Sequence, residues 1–596
     1  MEVKVPDIGD FSDVPVLTVL VSVGDTVAAE DPLIELESDK ATMEVPSPAA
    51  GKVTEIKVAE GDKVSEGSVI MVLESADGEE DKPAPASEPG PRAAEDSAPK
   101  AVEATGSASG KGDIHAEVVV LGSGPGGYTA AFRAADLGKK VVMIEKYPSL
   151  GGVCLNVGCI PSKALLHVAK VITEAEEMGA HGVSFSKPEV DLDELRAFKD
   201  KVVGQLTGGL KGLSKGRKVE VVQGYGKFTG PNMIAVEGDD GTKTVSFDQC
   251  IIAAGSEPVN LPFIPHDDER VIDSTGALEL KDIPKRMLVL GGGIIGLEMA
   301  CVYDALGSKI TVVELMDQII PGADKDIVKP LHKRIEGRYE NIMLKTKVTD
   351  VKAQKNGLKV TFENEKGEES AGIFDKVLVA VGRKPNGKLI DAEKAGVAVD
   401  DRGFIAVDAQ QRTGVNHIFA TGDVVGQPML AHKAEDDGTA VAELIAGKAG
   451  HVNYDLVPSV VYTKPEMAWV GQTEEQLKEA GVEYVKSKFP FMANSRARTN
   501  HETDGFVKML ADKKTDRILG VHMVGVGVGE LIAEICVAME FGASAEDIAL
   551  TCHAHPTCSE AVREAARYWM PSRPQWSNYV KVLGLDPERT RIRINF

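Results

Sequence analysis

The hydrophobic pattern changes character along the 596 residues. At the N-terminus the apolar residues come in short, β-branched runs: "VLTVLVSVGDTV", "DPLIELES", "GKVTEIKVAEGDKV" and "SVIMVLES". Gly, Asp and Pro bound each run, which predicts a small all-β domain over residues 1–75. It contains a repeat: "GDTV" at Gly24 to Val27 returns as "GDKV" at Gly61 to Val64. Between the copies, "ELESDKATMEVPSP" reads as strand, tight turn, strand, with Lys40 at the tip. From 76 to 113 the apolar pattern stops. That segment is rich in Ala, Pro, Glu, Ser and Gly and has no aromatic residue. It cannot bury a core and is expected to be a flexible linker, reaching roughly 30–35 Å r.m.s..

After the linker, an apolar strand runs into Gly122-x-Gly124-x-x-Gly127, a helical pattern follows, and a second strand ends at Glu145. This is a complete βαβ unit. Its glycines allow a tight turn and close backbone approach to a pyrophosphate, and the acid accepts from ribose hydroxyls. The design recurs at Gly291-x-Gly293-x-x-Gly296, with Glu314 closing the second strand. Each acid lies 23 residues after the first glycine of its turn. Glu314 would repel a 2′-phosphate and no Arg stands beside it, so this site is expected to prefer NAD to NADP.

Composition narrows the rest. The chain is 43% hydrophobic and 27% charged, with a net charge of −24. That balance argues against nucleic acid as a partner. "MEVKVPDIGD" shows no basic region followed by an apolar run, and no stretch reads as a membrane span. A cytoplasmic enzyme is expected. The seven cysteines are scattered, and in a reducing compartment a close pair is more often metal-binding or catalytic than structural.

The close pair is in "GGVCLNVGCIPSK", Cys154 and Cys159. A zinc site would need a second ligand pair, and none lies near; no metal is expected. On an ideal helix residues five apart have Cα atoms about 8–9 Å apart, and a disulfide needs less than about 7 Å. A bridge therefore requires a break in the helix, and Gly158 is where the chain can yield. A strained short-loop bridge is easily reduced, which suits a redox centre better than a clip. Far downstream, "TCHAHPTCSEAVREAARYW" holds His553, His555 and Glu560: a His suits the base that a thiol needs near neutral pH, and a carboxylate on its second ring nitrogen would orient it, while His553 alone reads as structural.

"GGVCLNVGCIPSK" after a first GxGxxG turn resembles the pyridine nucleotide-disulfide oxidoreductases, most closely the dihydrolipoamide dehydrogenase branch. "IIAAGSEP", "VAVGRKPN", "IFATGDV", "MLAHKA" and "YTKPEMAWVG" extend the resemblance from about residue 116 to about 568. It implies FAD held by Gly122, Gly124, Gly127, Glu145, Lys163, Gly226, Gly255 and Asp423, with Met429, Leu430, Ala431 and His432 flanking the flavin. It implies NAD on the side of Gly291, Gly293, Gly296, Glu298, Glu314, Val348 and Gly382, and a Lys163–Glu298 pair beside the flavin. It also implies a redox-active disulfide of Cys154 and Cys159, a dihydrolipoyl substrate, His555 as the base with Glu560 as its orienter, and a homodimer in which His555 comes from the other subunit. "ESDKATMEVPSP" between two GDxV half-motifs resembles biotinyl and lipoyl domains, in which the hairpin Lys, here Lys40, carries the prosthetic group. The neighbours Asp39 and Ala41 fit the lipoyl pattern rather than the Met-flanked biotin one.

The expected architecture is multidomain. A lipoyl-type flattened β-barrel comes first. Two Rossmann-like α/β dinucleotide domains follow, with an α+β dimerisation domain at the end. Boundaries are placed at 114–265 for the first part of the FAD domain, 266–390 for NAD, 391–455 for the second FAD part and 456–570 for the interface domain. The function implied is oxidation of dihydrolipoyl groups with NAD as acceptor, partnered by the acyltransferase of a 2-oxo acid dehydrogenase complex. Rivals are another disulfide reductase or a lipoyl carrier with a vestigial reductase. Glu314 argues against the NADP-linked reductases, and the intact cysteine, histidine and glutamate set against a relic. Cys558, where the family more often has Leu, and the basic tail 571–596 depart from the resemblance.

Overall fold

The computed structural model describes residues 2–5, 14–27, 31–37, 42–49, 51–65, 67–74, 99–106 and 110–569. Lys40, most of the linker and the tail 571–596 lie outside them. The chain divides into two compact units, Met1–Glu88 and Pro89–Phe596.

The first unit is built of β1 (Glu2–Lys4), β2 (Val14–Val19), β3 (Thr26–Val27), β4 (Pro32–Glu37), β5 (Thr42–Pro46), β6 (Gly51–Ile56), β7 (Lys63–Val64) and β8 (Val69–Glu74). They form two four-stranded sheets, β1-β8-β6-β3 and β5-β4-β2-β7. The sequence repeat becomes a structural one. Ser22 N donates to Asp25 Oδ2 and Ala59 N to Asp62 Oδ2, both at 2.8 Å. Gly24 and Gly61 follow with φ of 105° and 91°, values that glycine adopts without strain. β4 and β5 pair antiparallel up to Glu37 opposite Thr42.

In the second unit, the strand Ile114–Leu121 sits mid-sheet. Parallel to it run Val141–Glu145 on one side and Gly241–Ile252 on the other, with Ile418–Ala420 beyond. The strands read as nearly continuous apolar runs because helices cover both faces. A second sheet of five parallel strands has Arg286–Leu290 at its centre, between Lys309–Val313 and Lys376–Val379. A five-stranded antiparallel sheet from Ser459 to Gly525 follows, packed with the helices Val528–Glu540, Ala545–Leu550 and Glu560–Trp569.

Two sequence expectations change here. The linker does not run as free coil to residue 113. Its last part is strapped down: Val102 N donates to Gly396 O at 3.1 Å, Thr105 N to Glu393 O at 3.2 Å and Gly106 N to Lys394 O at 3.0 Å. A Cβ on Gly414 would stand 2.3 Å from Ala101 N. Backbone bonds against glycine-bearing loops need no apolar side chains, so composition cannot reveal them. Second, Gly152–His181 is long and apolar enough to cross a bilayer by length and composition. The sequence reading missed it because the cysteine motif splits the run. It is apolar where Leu165 and Leu166 join the core shared with Leu297 and Ala300.

Candidate active site

Both glycine turns have the shape that a dinucleotide requires. A Cβ on Gly122 would lie 2.2 Å from Ala253 O, and one on Gly127 2.0 Å from Gly122 O. The middle glycine, Gly124, faces open space and is the N-cap of the helix Pro125–Asp136, with no side chain capping it. The second turn repeats this. Cβ atoms on Gly291 and Gly296 would meet Ala380 O at 2.4 Å and Gly291 O at 2.2 Å, while Gly293 is open and uncapped. Two glycines close each turn; the third leaves room for phosphate at free N–H groups. Glu145 and Glu314, both buried, point back into their own turns.

The remaining residues expected at a flavin lie on several elements around the first turn. Asp423 accepts from Ser256 Oγ, which in turn accepts from Arg383 Nε at 2.7 Å. Leu430 is the uncapped N-cap of the helix Ala431–Ile445, and His432 Nε2 donates to Pro458 O at 2.8 Å. Inside that helix the buried pair Lys433–Asp437, 2.8 Å apart, fixes Gly422 beside Asp423, because Asp437 also accepts from Gly422 N at 3.1 Å. Gly226 lies within a strand, where a Cβ would strike Leu121 at 2.6 Å, so its need for glycine is close packing. Gly255 and Gly382 flank a two-stranded ribbon that joins the two turns: Ser256–Pro258 pairs with Arg383–Pro385, and Val259 N donates to Gly382 O. Val348 is buried in a separate antiparallel sheet, paired with Phe362.

The cysteine motif breaks where its glycine stands. Gly152–Val157 is one helix, Cys159–Glu177 the next, and Gly158 sits between at φ −144° and ψ −113°. A Cβ there would meet Val153 O at 2.8 Å. The two sulfurs are free thiols, and they are not equivalent. Cys154 is pushed up by its hydrogen bond to Cys159 and by burial. Cys159 is pulled down to about 7, by the bond from Cys154 and, against burial, by Lys163. Lys163 Nζ meets Glu298 Oε2 at 2.7 Å and lies over the Tyr462 ring, 4.4 Å from its centroid. Glu298, 5% exposed, also accepts from Ser162 Oγ at 3.0 Å and Tyr462 N at 3.2 Å.

His555 and Glu560 form the second half of the chemistry. His555 Nδ1 lies 3.0 Å from Glu560 Oε1, and the imidazole is 70% exposed. Burial disfavours the Glu560 carboxylate, but the Thr557 N–H, His555 and Arg563 outweigh it and hold it below its ordinary range. The acid therefore fixes one ring nitrogen and leaves the other outward. His553 is separately tied to Glu534 Oε1 at 2.6 Å. Cys558 packs beside the helices of this domain.

Sequence reasoning missed several residues here. Ser123, Ser162, Tyr462 and Arg383 bond predicted site residues or their partners, and the Lys433–Asp437 pair holds Gly422 beside Asp423. Tyr128 and Glu435 form a further pair, 2.6 Å apart, near the cysteines. The 307 residues between Tyr128 and Glu435 leave no local signal of that pair.

The chain matches the family described as pyridine nucleotide-disulphide oxidoreductase over residues 116–438, and that family's dimerisation domain over 457–566. Residues 1–73 match the family described as biotin-requiring enzyme. Over 454 residues it is 58% identical to dihydrolipoyl dehydrogenase of Vibrio cholerae, covering 76% of this chain and 95% of that one. Over 458 residues it is 50% identical to the mitochondrial dihydrolipoyl dehydrogenase of Dictyostelium discoideum, covering 76% and 93%. Among solved structures it resembles LpdA from Mycobacterium tuberculosis, with a TM-score of 0.71 and 25% identity over 76% of this chain and 99% of that one. It also resembles the HOCl-induced flavoprotein disulfide reductase RclA from Escherichia coli, with a TM-score of 0.68 and 29% identity over 76% and 99%.

Proposed function

The chain belongs to the pyridine nucleotide-disulphide oxidoreductase family, and from that premise we propose that it oxidises dihydrolipoyl groups to the lipoyl disulfide and passes the electrons to NAD. The observation that carries this reading is the cysteine pair broken across Gly158, with Lys163–Glu298 on its Cys159 side. The reactants are the dihydrolipoyl dithiol and the Cys154–Cys159 disulfide. His555, oriented by Glu560, takes a proton from one substrate thiol. That thiolate attacks Sγ of Cys154 and Cys159 leaves as thiolate, its charge stabilised by Lys163. The second substrate sulfur attacks the sulfur bound to Cys154 and closes the lipoyl ring, and its proton passes to Cys154 Sγ as that sulfur leaves. Two electrons now reside on the cysteine pair.

FAD, once bound, supplies the two-electron relay between this dithiol and the nicotinamide. The residues that would hold it are the Gly122–Gly127 turn, Glu145, Asp423 and the free N-terminus of the helix Ala431–Ile445. Those that would hold NAD are the Gly291–Gly296 turn and Glu314. Because His555 is exposed and lies in the dimerisation domain, it serves the cysteine pair of the other chain in a homodimer. Lys40 carries a lipoyl group, and the enzyme works in the cytoplasm with the acyltransferase of a 2-oxo acid dehydrogenase complex. The test is NADH formation from NAD and free dihydrolipoamide. Wild type should turn over and Cys154→Ser should fall to background. A yellow dimer inactive on dihydrolipoamide would sink the reading.

A further inference from the structure

Residues 551–559 carry His555, have no regular structure of their own, and lie between the helices Ala545–Leu550 and Glu560–Trp569. The two histidines of this segment face opposite ways. The His555 side chain is 70% exposed, whereas that of His553 is 6% exposed. A ring so buried does not meet a substrate thiol, and the exchange above does not use it. After His555 the segment is held by three bonds. Thr557 N donates to Glu560 Oε2 at 3.0 Å, Thr557 Oγ1 to Ala554 O at 2.7 Å, and Asn494 Nδ2 to Thr557 O at 3.0 Å. Before His555 it is held through His553. Nε2 of that ring donates to Glu534 Oε1 at 2.6 Å, and Nδ1 lies 3.0 Å from Thr551 O. Glu534 is a fixed point. It stands on the helix Val528–Glu540, whose Val528, Ile532 and Ile535 are buried in the domain core. The start of that helix is tied down by Gly529 N, which donates to Glu466 Oε2 at 3.1 Å.

We propose that His553 and Glu534 are positioning residues for the base: the pair anchors the backbone two residues before His555 to a core helix, so that the outward ring nitrogen is presented at one place to the substrate thiol. The inference rests on the reading of His555 as the base given above. A base acts only where its nitrogen reaches the proton it takes. An exposed imidazole on an irregular segment has many places open to it. Glu560 turns the ring but does not hold the chain that leads into it. Glu534 does so through His553. Each histidine of the segment thus has its own glutamate on a helix, one orienting the ring and the other the backbone that carries it. His553 touches no reacting atom and takes no proton in the exchange. Its loss leaves the His555–Glu560 pair intact but spreads the ring over positions of which few are productive, and a misplacement of about 1 Å costs on the order of a hundredfold in rate.

The test separates the two half-reactions of the flavin-loaded dimer. Reduction by dihydrolipoamide needs the base, and reduction by NADH does not. Each is followed anaerobically as loss of flavin absorbance in a stopped-flow instrument. His553→Ala and Glu534→Ala should slow the first by about ten- to hundredfold, with flavin content, dimer mass and the NADH rate as in wild type. The dihydrolipoamide concentration at half-maximal rate should not move, because His553 does not touch substrate. Glu534→Gln keeps an acceptor for His553 and should restore most of the rate. His553→Gln keeps a donor for Glu534 and should restore part of it. In a His555→Ala background, His553→Ala should add no further loss, because it acts through His555. Unchanged dihydrolipoamide rates in His553→Ala and Glu534→Ala overturn this inference alone. An equal fall in both half-reactions, or a further loss in the double variant, also overturns it. A wild type that NADH reduces and dihydrolipoamide does not overturns the reading of the base and this inference together.

Discussion

The two glycine turns share their spacing and differ at three positions, Ser123, Pro125 and Gly126 against Gly292, Ile294 and Ile295. In the first, Ser123 follows the opening glycine, and both its N–H and its hydroxyl donate to Glu145 Oε2, at 2.9 and 2.6 Å. In the second the corresponding residue is Gly292, and only its N–H reaches Glu314 Oε2, at 2.7 Å. The far oxygens match: Glu145 accepts from Tyr147 N at 2.9 Å and Glu314 from Met316 N at 2.8 Å. The first turn is further closed by the helix Ala431–Ile445, seated on Gly126. One acid is thus locked by three donors and the other by two. A cofactor that stays bound needs a pre-formed pocket, and one that exchanges each turnover gains from a looser one. The difference supports the proposed placing of the flavin at the first turn.

The strongest way to break that assignment is to put a methyl group on each turn. Gly122 has φ +110° and no room for a Cβ. Gly122→Ala should cost roughly 2–4 kcal/mol and strip most of the flavin, read as flavin absorbance per chain and as Tm. Gly296→Ala should leave the flavin in place and raise KM for NAD. If Gly296→Ala loses flavin as thoroughly, the turns are not independent. The acids come next. Glu314→Gln should narrow the preference for NAD over NADP by about tenfold, measured as the ratio of kcat/KM values. A preference that does not move would mean that another group rejects the 2′-phosphate.

This contrast also marks how far the sequence could be read. Both turns, both acids and the break at Gly158 were legible, because each is a local pattern within about 30 residues. The His555–Glu560 pair, five residues apart, was assigned by resemblance, and the structure brings the two side chains to 3.0 Å. What joined the patterns was not legible. Lys163 and Glu298 are 135 residues apart, and only resemblance paired them. Ser123 stands inside the first motif at a variable position, so its hydroxyl carried no signal until its distance to Glu145 was known. The strap over Gly396 and Gly414 is made of backbone bonds and is invisible to composition. The apolar run through the cysteine motif was missed because its polar punctuation, Asn156, Ser162 and Lys163, falls in the site.

Ser123→Gly would give the first turn the second turn's pattern. Losing one hydrogen bond to a buried carboxylate should cost about 1–2 kcal/mol, which weakens flavin binding about five- to thirtyfold. Reconstitution of the apoprotein, followed by flavin fluorescence, measures it. Flavin affinity unchanged in Ser123→Gly would show that the third donor is incidental, and the comparison would then rest on the covering helix alone.

The smallest effect at neutral pH concerns what holds the second turn's neighbourhood in place. Lys508 is fully buried and meets Asp324 Oδ2 at 2.6 Å and Asp326 Oδ1 at 2.7 Å, at the start of the helix Lys325–Glu336. Burial disfavours both the Asp326 and Glu474 carboxylates. Lys488 and Lys508 on the first, and Lys486 and Lys478 on the second, outweigh it and bring each to about 2. Both groups ionise more readily folded than unfolded, so the folded state binds fewer protons. Their stabilising contribution is complete above the ordinary carboxylate range near pH 4 and is lost as pH falls from about 4 to about 2. Losing them removes two of the three carboxylates around buried Lys508, a costly change. Hydrogen exchange in Lys325–Glu336 should therefore accelerate across that window, ahead of exchange in the flavin-side helix Pro125–Asp136. Asp326→Asn should show the faster exchange already at neutral pH. Simultaneous loss of both helices in wild type would mean that acid unfolds the two nucleotide halves as one unit, and the looser second turn would then owe nothing to a separately held domain.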